Sequence, residues 1–225
     1  ARAADSVIER QLQCLAEQDH PSFEVIIADN GRSPRLRDVA ATWRDHLDVR
    51  VVDATARIGC GPARNVGVWA ARTDNLLFCD ADDCVAPAWV GAFLDCLADA
   101  GHGTGAKASV LEHEVADAAR ASTFESAVYS TGPNTATARP YASGNNSGYR
   151  REVLAEIGGF GSHNLRREDV EASWLAQDRG HELGWAPEAR LLYVARSGAA
   201  ARWRQCFGYA AGVEALRPLV APSGA

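Results

Sequence analysis

Apolar positions in the first half of the chain alternate between a helical and a strand period. Residues 6–18 predict a helix, with Ile8, Leu12 and Leu15 on one face and Ser6 and Glu9 at capping-box spacing. Phe23 to Ala28 is a short apolar run ending in Asp29-Asn30-Gly31, the pattern of a strand that enters a turn. Leu36, Val39, Ala40, Trp43 and Leu47 mark a second helix, and Val49 to Val52 a second strand. Gly61-Pro62 opens a third helix through Val66, Trp69 and Ala70. Leu76 to Cys79 is apolar throughout, and a further helix is predicted from Pro87 to Leu97. Trp69 and Trp89 fall at helical core spacing and are expected to pack inward. Such alternation predicts an α/β fold, a mostly parallel sheet flanked by helices on both faces.

The second half is less regular. Residues 105–116 read as a strand, and 119–140, rich in Ala, Ser, Thr and Pro, as a long loop. Short helices follow over 151–157 and 169–179, then a strand over 191–194 and a last helix from about 198 to 216. No repeat or low-complexity linker interrupts the chain, so one domain over 1–225 is expected, with a first half to residue 103 and a second from 104.

Composition narrows the class. The 225 residues carry 23 basic and 29 acidic side chains, a net charge of −6, and Lys107 is the one lysine. With 47% hydrophobic and 23% charged residues the chain can bury a substantial core, which excludes intrinsic disorder. The acidic surplus argues against a nucleic-acid partner. No apolar run reaches the roughly 18 residues that a membrane-spanning helix needs, and the N-terminus has no signal-peptide core. The six cysteines, Cys14, Cys60, Cys79, Cys84, Cys96 and Cys206, form no Cys-x-x-Cys pair or zinc spacing. They read as small buried residues of a reducing compartment, and the expected location is the cytoplasm.

The densest chemistry lies at Asp80-Ala81-Asp82-Asp83, where an apolar strand delivers three carboxylates to its C-terminal end. Ligands of open α/β sheets bind at that edge. Carboxylates so close repel one another unless a cation sits among them, and oxygen donors suit Mg²⁺ or Mn²⁺ rather than zinc. Capping of the next helix by Asp82 or Asp83 is the plainer reading, and it accounts for one aspartate of the three.

Asp80-Ala81-Asp82 resembles the Asp-x-Asp motif of family-2 glycosyltransferases with the GT-A fold. The likeness runs through about residues 5–210, in the family's order. Asp29 stands where the family contacts the nucleotide base, and Gly61-Pro62-Ala63-Arg64-Asn65-Val66-Gly67 resembles its Ala-Arg-Asn segment. Gly144-Asn145-Asn146-Ser147-Gly148-Tyr149-Arg150-Arg151, followed by Ile157-Gly158-Gly159-Phe160, resembles the stretch before the acceptor site. Glu168-Asp169 resembles the pair that carries the catalytic base.

The resemblance implies an inverting enzyme that moves a sugar from a nucleoside-diphosphate sugar, a UDP-sugar first, to an acceptor hydroxyl. It implies Mn²⁺ or Mg²⁺ on Asp82 and Asp80, Asp169 as base with Glu168 beside it, and donor contacts from Asp29, Arg64, Asp80, Asp82, Asn145 and Asn146. Residues 1–103 would form the nucleotide-sugar half and 104–225 the acceptor half. Trp174 and Trp185 read equally as a sugar platform or as core. The acceptor class stays open among small molecules, glycans and lipid-linked glycans. Arg196, Arg202 and Arg204, set among Trp203, Phe207 and Tyr209, can lie on an anionic membrane or pack on the domain.

Two departures from the family stand out. Its opening apolar strand is absent ahead of the first helix, which predicts that further residues precede Ala1. The stretch Leu192-Tyr193-Val194-Ala195-Arg196 also holds no histidine to complete a metal site. Asp80 and Asp82 further fit a haloacid-dehalogenase-like phosphatase, as nucleophile and acid/base, although that chemistry wants a later lysine and a strand-end acidic pair. A non-catalytic nucleotide-sugar or glycan-binding relic is the remaining alternative.

Overall fold

The computed structural model describes residues 2–116, 120–135, 137, 139–161 and 167–195, with the side chains of residues 2–6 left aside. Strand β1 (Glu24–Asp29) pairs in parallel with β2 (Asp48–Asp53), with helices α1 (Arg2–Ala16) before them and α2 (Leu36–Thr42) between. Helix α3 (Cys60–Ala70) leads to β3 (Asn75–Cys79), the short β4 (Cys84–Val85) and α4 (Trp89–Asp99). Strand β5 (His102–Val110) is followed by a 3-10 turn at Glu112–Val115 and by α5 (Arg120–Ser126). The rest comprises β6 (Asn146–Arg150), α6 (Arg151–Ile157), α7 (Glu168–Asp178) and β7 (Leu183–Val194).

The fold is α/β, but its second sheet is mixed. In the order β3-β6-β5-β7-β4, only β5 and β7 run parallel, and the β3–β6, β5–β6 and β4–β7 ladders are antiparallel. The sheet is less parallel than the mostly parallel one expected, because two of these strands are invisible to hydrophobic patterning. Strand β6 buries Asn146 and Ser147, and β4 is two residues long. The stretch expected to be a long loop contains α5, whose Arg120 reaches both carboxylate oxygens of Glu17 at 2.6 and 2.7 Å.

Helices cover both faces of the sheet. Ile8, Leu12, Trp89 and Phe93 of α1 and α4 pack with Ala108, Leu191 and Leu192 of β5 and β7. Val68, Leu154, Ala172 and Ala176 of α3, α6 and α7 pack with Leu76 and Tyr149. Leu76 faces one cluster and Leu77 the other, as alternation along β3 requires. Trp89 is core as expected, whereas Trp69 is 63% exposed, because α3 turns that face outward. Trp174 is buried, with its indole N–H donated to the Arg139 carbonyl at 3.3 Å, so core packing is its role.

A register break between β5 and β7 explains Asn146. Pairing jumps from Gly105↔Ala186 to Lys107↔Leu191. The Asn146 Nδ2 donates to the carbonyls of Ala106 and Ala189 at 2.9 and 3.0 Å, and its Oδ1 accepts the Trp89 indole N–H at 2.7 Å. A buried amide so occupied repairs the ladder where it fails. Gly105 is required there, since a Cβ would lie 2.2 Å from the Ala189 carbonyl oxygen.

His102 is fully buried, stacked on Tyr149 at 5.3 Å and hydrogen-bonded to the Ser173 hydroxyl at 3.0 Å. Burial, with His181 adding, pushes its pKa down to about 4. A base depressed in the fold contributes stability that is present above its ordinary pKa and lost as the pH falls toward the folded value. Lowering the pH from about 7.5 to about 5 should therefore cost about 2 kcal/mol through this group. Urea denaturation at the two pH values checks it, and His102→Gln should flatten the dependence.

Candidate active site

Four chain segments meet at the C-terminal end of β3. Arg64 of α3 extends beneath them, its guanidinium donating to Glu168 Oε1 at 2.6 Å and to Asp80 Oδ1 at 3.3 Å. Its Cζ lies 5.6 Å from the centre of the Phe160 ring. Gly144 covers the other side, and a Cβ there would sit 2.8 Å from the guanidinium atoms. Burial alone would lower the Arg64 pKa, but Asp80, Glu168 and Asp169 outweigh it and hold the charge firmly. Glu168 is driven upward by burial and by Asp169, against the pull of Arg64.

Glu168 and Asp169 open α7, where partial positive charge at the helix start favours carboxylates. Asp169 is half-buried, and its Oδ2 accepts the Gly144 amide N–H at 3.0 Å. The structure thus brings Arg64, Asp80, Glu168 and Asp169 together from positions up to about a hundred residues apart.

The carboxylates at the β3 end divide. Asp80 is partly exposed beside Arg64, and Asp82 is exposed in the turn. Asp83 is wholly buried, its Oδ2 accepting the Asn145 amide at 2.8 Å and its Oδ1 the Val194 N–H at 3.2 Å. Burial, with Asp80 and Asp82 adding, pushes Asp83 up to about 8. Neither Asp82 nor Asp83 caps α4, which starts behind Ala88 with no side-chain cap. Arg10 of α1 donates to the Asp82 carbonyl at 3.0 Å, a contact that sequence reading missed.

A divalent cation fits this arrangement in part. Asp80 and Asp82 offer hard oxygen donors, while Asp83 has spent both oxygens inward. Among the described residues no group of three or more His, Cys, Asp and Glu side chains could hold a metal. Two carboxylates plus ligand phosphates is the usual way such sites hold Mg²⁺, so a cation here would need the donor to complete its shell.

Three of the expected donor residues lie apart from the cluster of Arg64, Asp80, Glu168 and Asp169. Asn145 and Asn146, expected to meet the donor, turn their amides inward to Asp83 and to the broken ladder. Asp29 stands apart from the cluster, its Oδ1 accepting the backbone N–H groups of Gly31 and Ser33 at 3.1 and 3.3 Å. The neighbouring Asn30, unnoticed in the sequence, pins the loop before α3, donating to the Arg57 carbonyl at 2.8 Å and accepting from the Gly59 N–H at 2.9 Å. The basic helix expected from about 198, and Cys206 within it, lie outside the described residues.

Residues 2–158 match the family described as Glycosyl transferase family 2. The glycosyltransferase AglE of Haloferax volcanii is 24% identical over 195 residues, covering 84% of this chain and 63% of that protein. The amylovoran biosynthesis glycosyltransferase AmsB of Erwinia amylovora is 34% identical over 84 residues, 36% of this chain and 28% of AmsB. Among solved structures, the mannosyltransferase PcManGT of Pyrobaculum calidifontis, in complex with GDP-Man and Mn²⁺, superposes with a TM-score of 0.70 at 20% identity. That match covers 97% of this chain and 62% of PcManGT. TarS of S. aureus, in complex with UDP-GlcNAc, gives 0.65 at 22% identity, over 87% of this chain and 56% of that one. The chain spans less than two thirds of the length of each of these relatives.

Proposed function

Because the chain belongs to glycosyl transferase family 2, we propose that it transfers a sugar from a nucleoside-diphosphate sugar to an acceptor hydroxyl, with inversion at the anomeric carbon. The observation that carries the reading is the convergence of Arg64, Asp80, Glu168 and Asp169 at one sheet edge. A single carboxylate base suits direct displacement, whereas double displacement uses two carboxylates in turn.

Asp169 takes the proton of the acceptor hydroxyl as that oxygen bonds to the anomeric carbon. The bond from that carbon to the diphosphate oxygen breaks, and the nucleoside diphosphate leaves with the electron pair. Arg64 supplies fixed positive charge toward the diphosphate, and Glu168 holds the guanidinium in place. Asp82 and Asp80 would hold Mn²⁺ or Mg²⁺, which would supply Lewis-acid stabilisation to the leaving phosphates. The complexes of PcManGT with GDP-Man and Mn²⁺ and of TarS with UDP-GlcNAc support a nucleotide-sugar donor and a divalent ion. A UDP-sugar is the first donor to test, and Asp29 at the end of β1 is the candidate for the base.

Among the described residues no helix is long and apolar enough to cross a membrane, and the described cysteines are free. Work at the cytoplasmic side is the reading that fits free thiols. The phosphatase alternative fares worse, because the Lys107 ammonium lies 5.7 Å from the Tyr193 ring centre and Glu168-Asp169 opens a helix instead of ending a strand.

Thermal shift with UDP-, GDP- and dTDP-sugars tests the donor claim. One donor class should stabilise the protein, and more so with Mn²⁺. Asp82→Asn should keep the metal-independent shift and lose the Mn²⁺ increment. No shift with any donor would contradict the reading.

A further inference from the structure

Asp83 has no part in the chemistry above, yet it is the most enclosed of the three carboxylates. It is 0% exposed, and the carboxylates of Asp80 and Asp82 stand three and one residues away. Burying a carboxylate is costly, and a buried charge with hydrogen bonds is weak evidence for stability. Its partners show what it fastens. Oδ1 accepts the Val194 N–H at the end of β7, and Oδ2 accepts the amide of Asn145, the residue after Gly144. The Gly144 amide is the group that donates to Asp169 Oδ2 at 3.0 Å. The turn between them is tied down separately, with the Asn146 N–H on the Ser143 carbonyl at 2.9 Å and the Thr104 hydroxyl on the Asn146 carbonyl at 2.9 Å. Asn145 is thus the side chain through which the β3 end reaches the turn that carries the Gly144 amide.

We propose that Asp83 is a positioning residue, which through Asn145 fixes the Gly144 amide and so sets the direction in which Asp169 presents its carboxylate to the acceptor. The proposal rests on the reading of Asp169 as base. A base must come within hydrogen-bond reach of the proton it takes, and an error of about 1 Å can lower the rate about a hundredfold. The same clasp links the turn bearing Asp80 and Asp82 to α7, so the donor side and the acceptor side share one fixed frame.

The test uses the full-length protein, the donor found by thermal shift, and nucleoside-diphosphate release. Asp83→Asn and Asn145→Asp should each lower kcat about 10- to 100-fold, with donor KM and the Mn²⁺ requirement unchanged. The exchanged pair, carrying both substitutions, rebuilds the amide–carboxylate bond in reverse, with the Val194 N–H still accepted by an amide oxygen at 83. It should recover most of the lost kcat, which a general loss of fold would not. Should either single variant fail to fold, Asn145→Ser, which leaves Asp83 its Val194 partner, carries the same expectation.

Three results overturn the proposal. One is an Asn145→Ser variant whose kcat stays within about twofold of wild type while Asp169→Asn is inactive. Another is an exchanged pair no more active than the single variants. A loss that appears in donor KM instead of kcat would assign Asp83 to donor binding. Retention of full activity by Asp169→Asn removes the base assignment as well, and that outcome is distinct because the positioning variants are not needed to see it.

Discussion

Asp169→Asn should lower sugar transfer by about 10²- to 10⁴-fold while leaving donor affinity within about twofold of wild type. The substitution keeps the size of the side chain and an oxygen able to accept the Gly144 N–H, now at 3.0 Å. It removes the ability to take a proton. In the proposed mechanism the donor is held by other groups, chiefly the Arg64 guanidinium and the carboxylates Asp80 and Asp82, so calorimetric affinity for the donor should hold. Nucleoside-diphosphate release in a single turnover measures the chemical step apart from product release. A variant retaining more than about a tenth of the wild-type rate would point to a different base. Glu168 is poorly suited to that part, because its Oε1 is bound by Arg64 at 2.6 Å in a buried setting.

Arg64→Ala should be the most damaging change to the fold at the site. The Glu168 side chain is 7% exposed and its charge is answered by the guanidinium at 2.6 Å. Removing one partner of a buried pair leaves the other uncompensated, which costs about 3–5 kcal/mol. Urea denaturation should show a fall of that size without a change in slope. Arg64→Ala with Glu168→Gln should recover part of it, since the stranded charge is then gone. Arg64→Lys should restore less than its charge suggests, because one ammonium on a flexible stem cannot match the fork that spans Glu168 and Asp80. All three variants should weaken the Mn²⁺-dependent donor shift. Unchanged stability in Arg64→Ala would mean that the Glu168 carboxylate is far better solvated than its burial indicates.

The residues that meet in the candidate site were more legible in the sequence than the sheet was. Asp80, Asp82, Arg64, Glu168 and Asp169 sit in short local patterns, and a pattern of residue types at a strand end or helix start is readable without knowing what it touches. Arg10 sits in no such pattern, and the motif that begins at Gly144 does not tell what its amide meets. Their partners, the Asp82 carbonyl and the Asp169 carboxylate, are brought to them only by closure of the chain. Strand β6 escaped because Tyr149 is its one buried apolar side chain, and the buried Asn146 and Ser147 look like turn residues until the register break beside them is seen. Trp69 misled in the opposite way. Its spacing on α3 matched an inward face, but the helix buries Gly61, Pro62 and Val68 instead. Apolar periodicity reports that a helix has two faces, and only packing decides how far each one is covered.

The central claim is that this site releases a nucleoside diphosphate by transferring the sugar it carried. The direct measurement is nucleoside-diphosphate release from UDP- and GDP-sugars by the full-length protein, with and without Mn²⁺, alongside Asp169→Asn. The account predicts release from one donor class, stimulated by Mn²⁺ and abolished in the variant. Release that proceeds equally well in Asp169→Asn, or donor binding with no release from any nucleotide sugar, would contradict it.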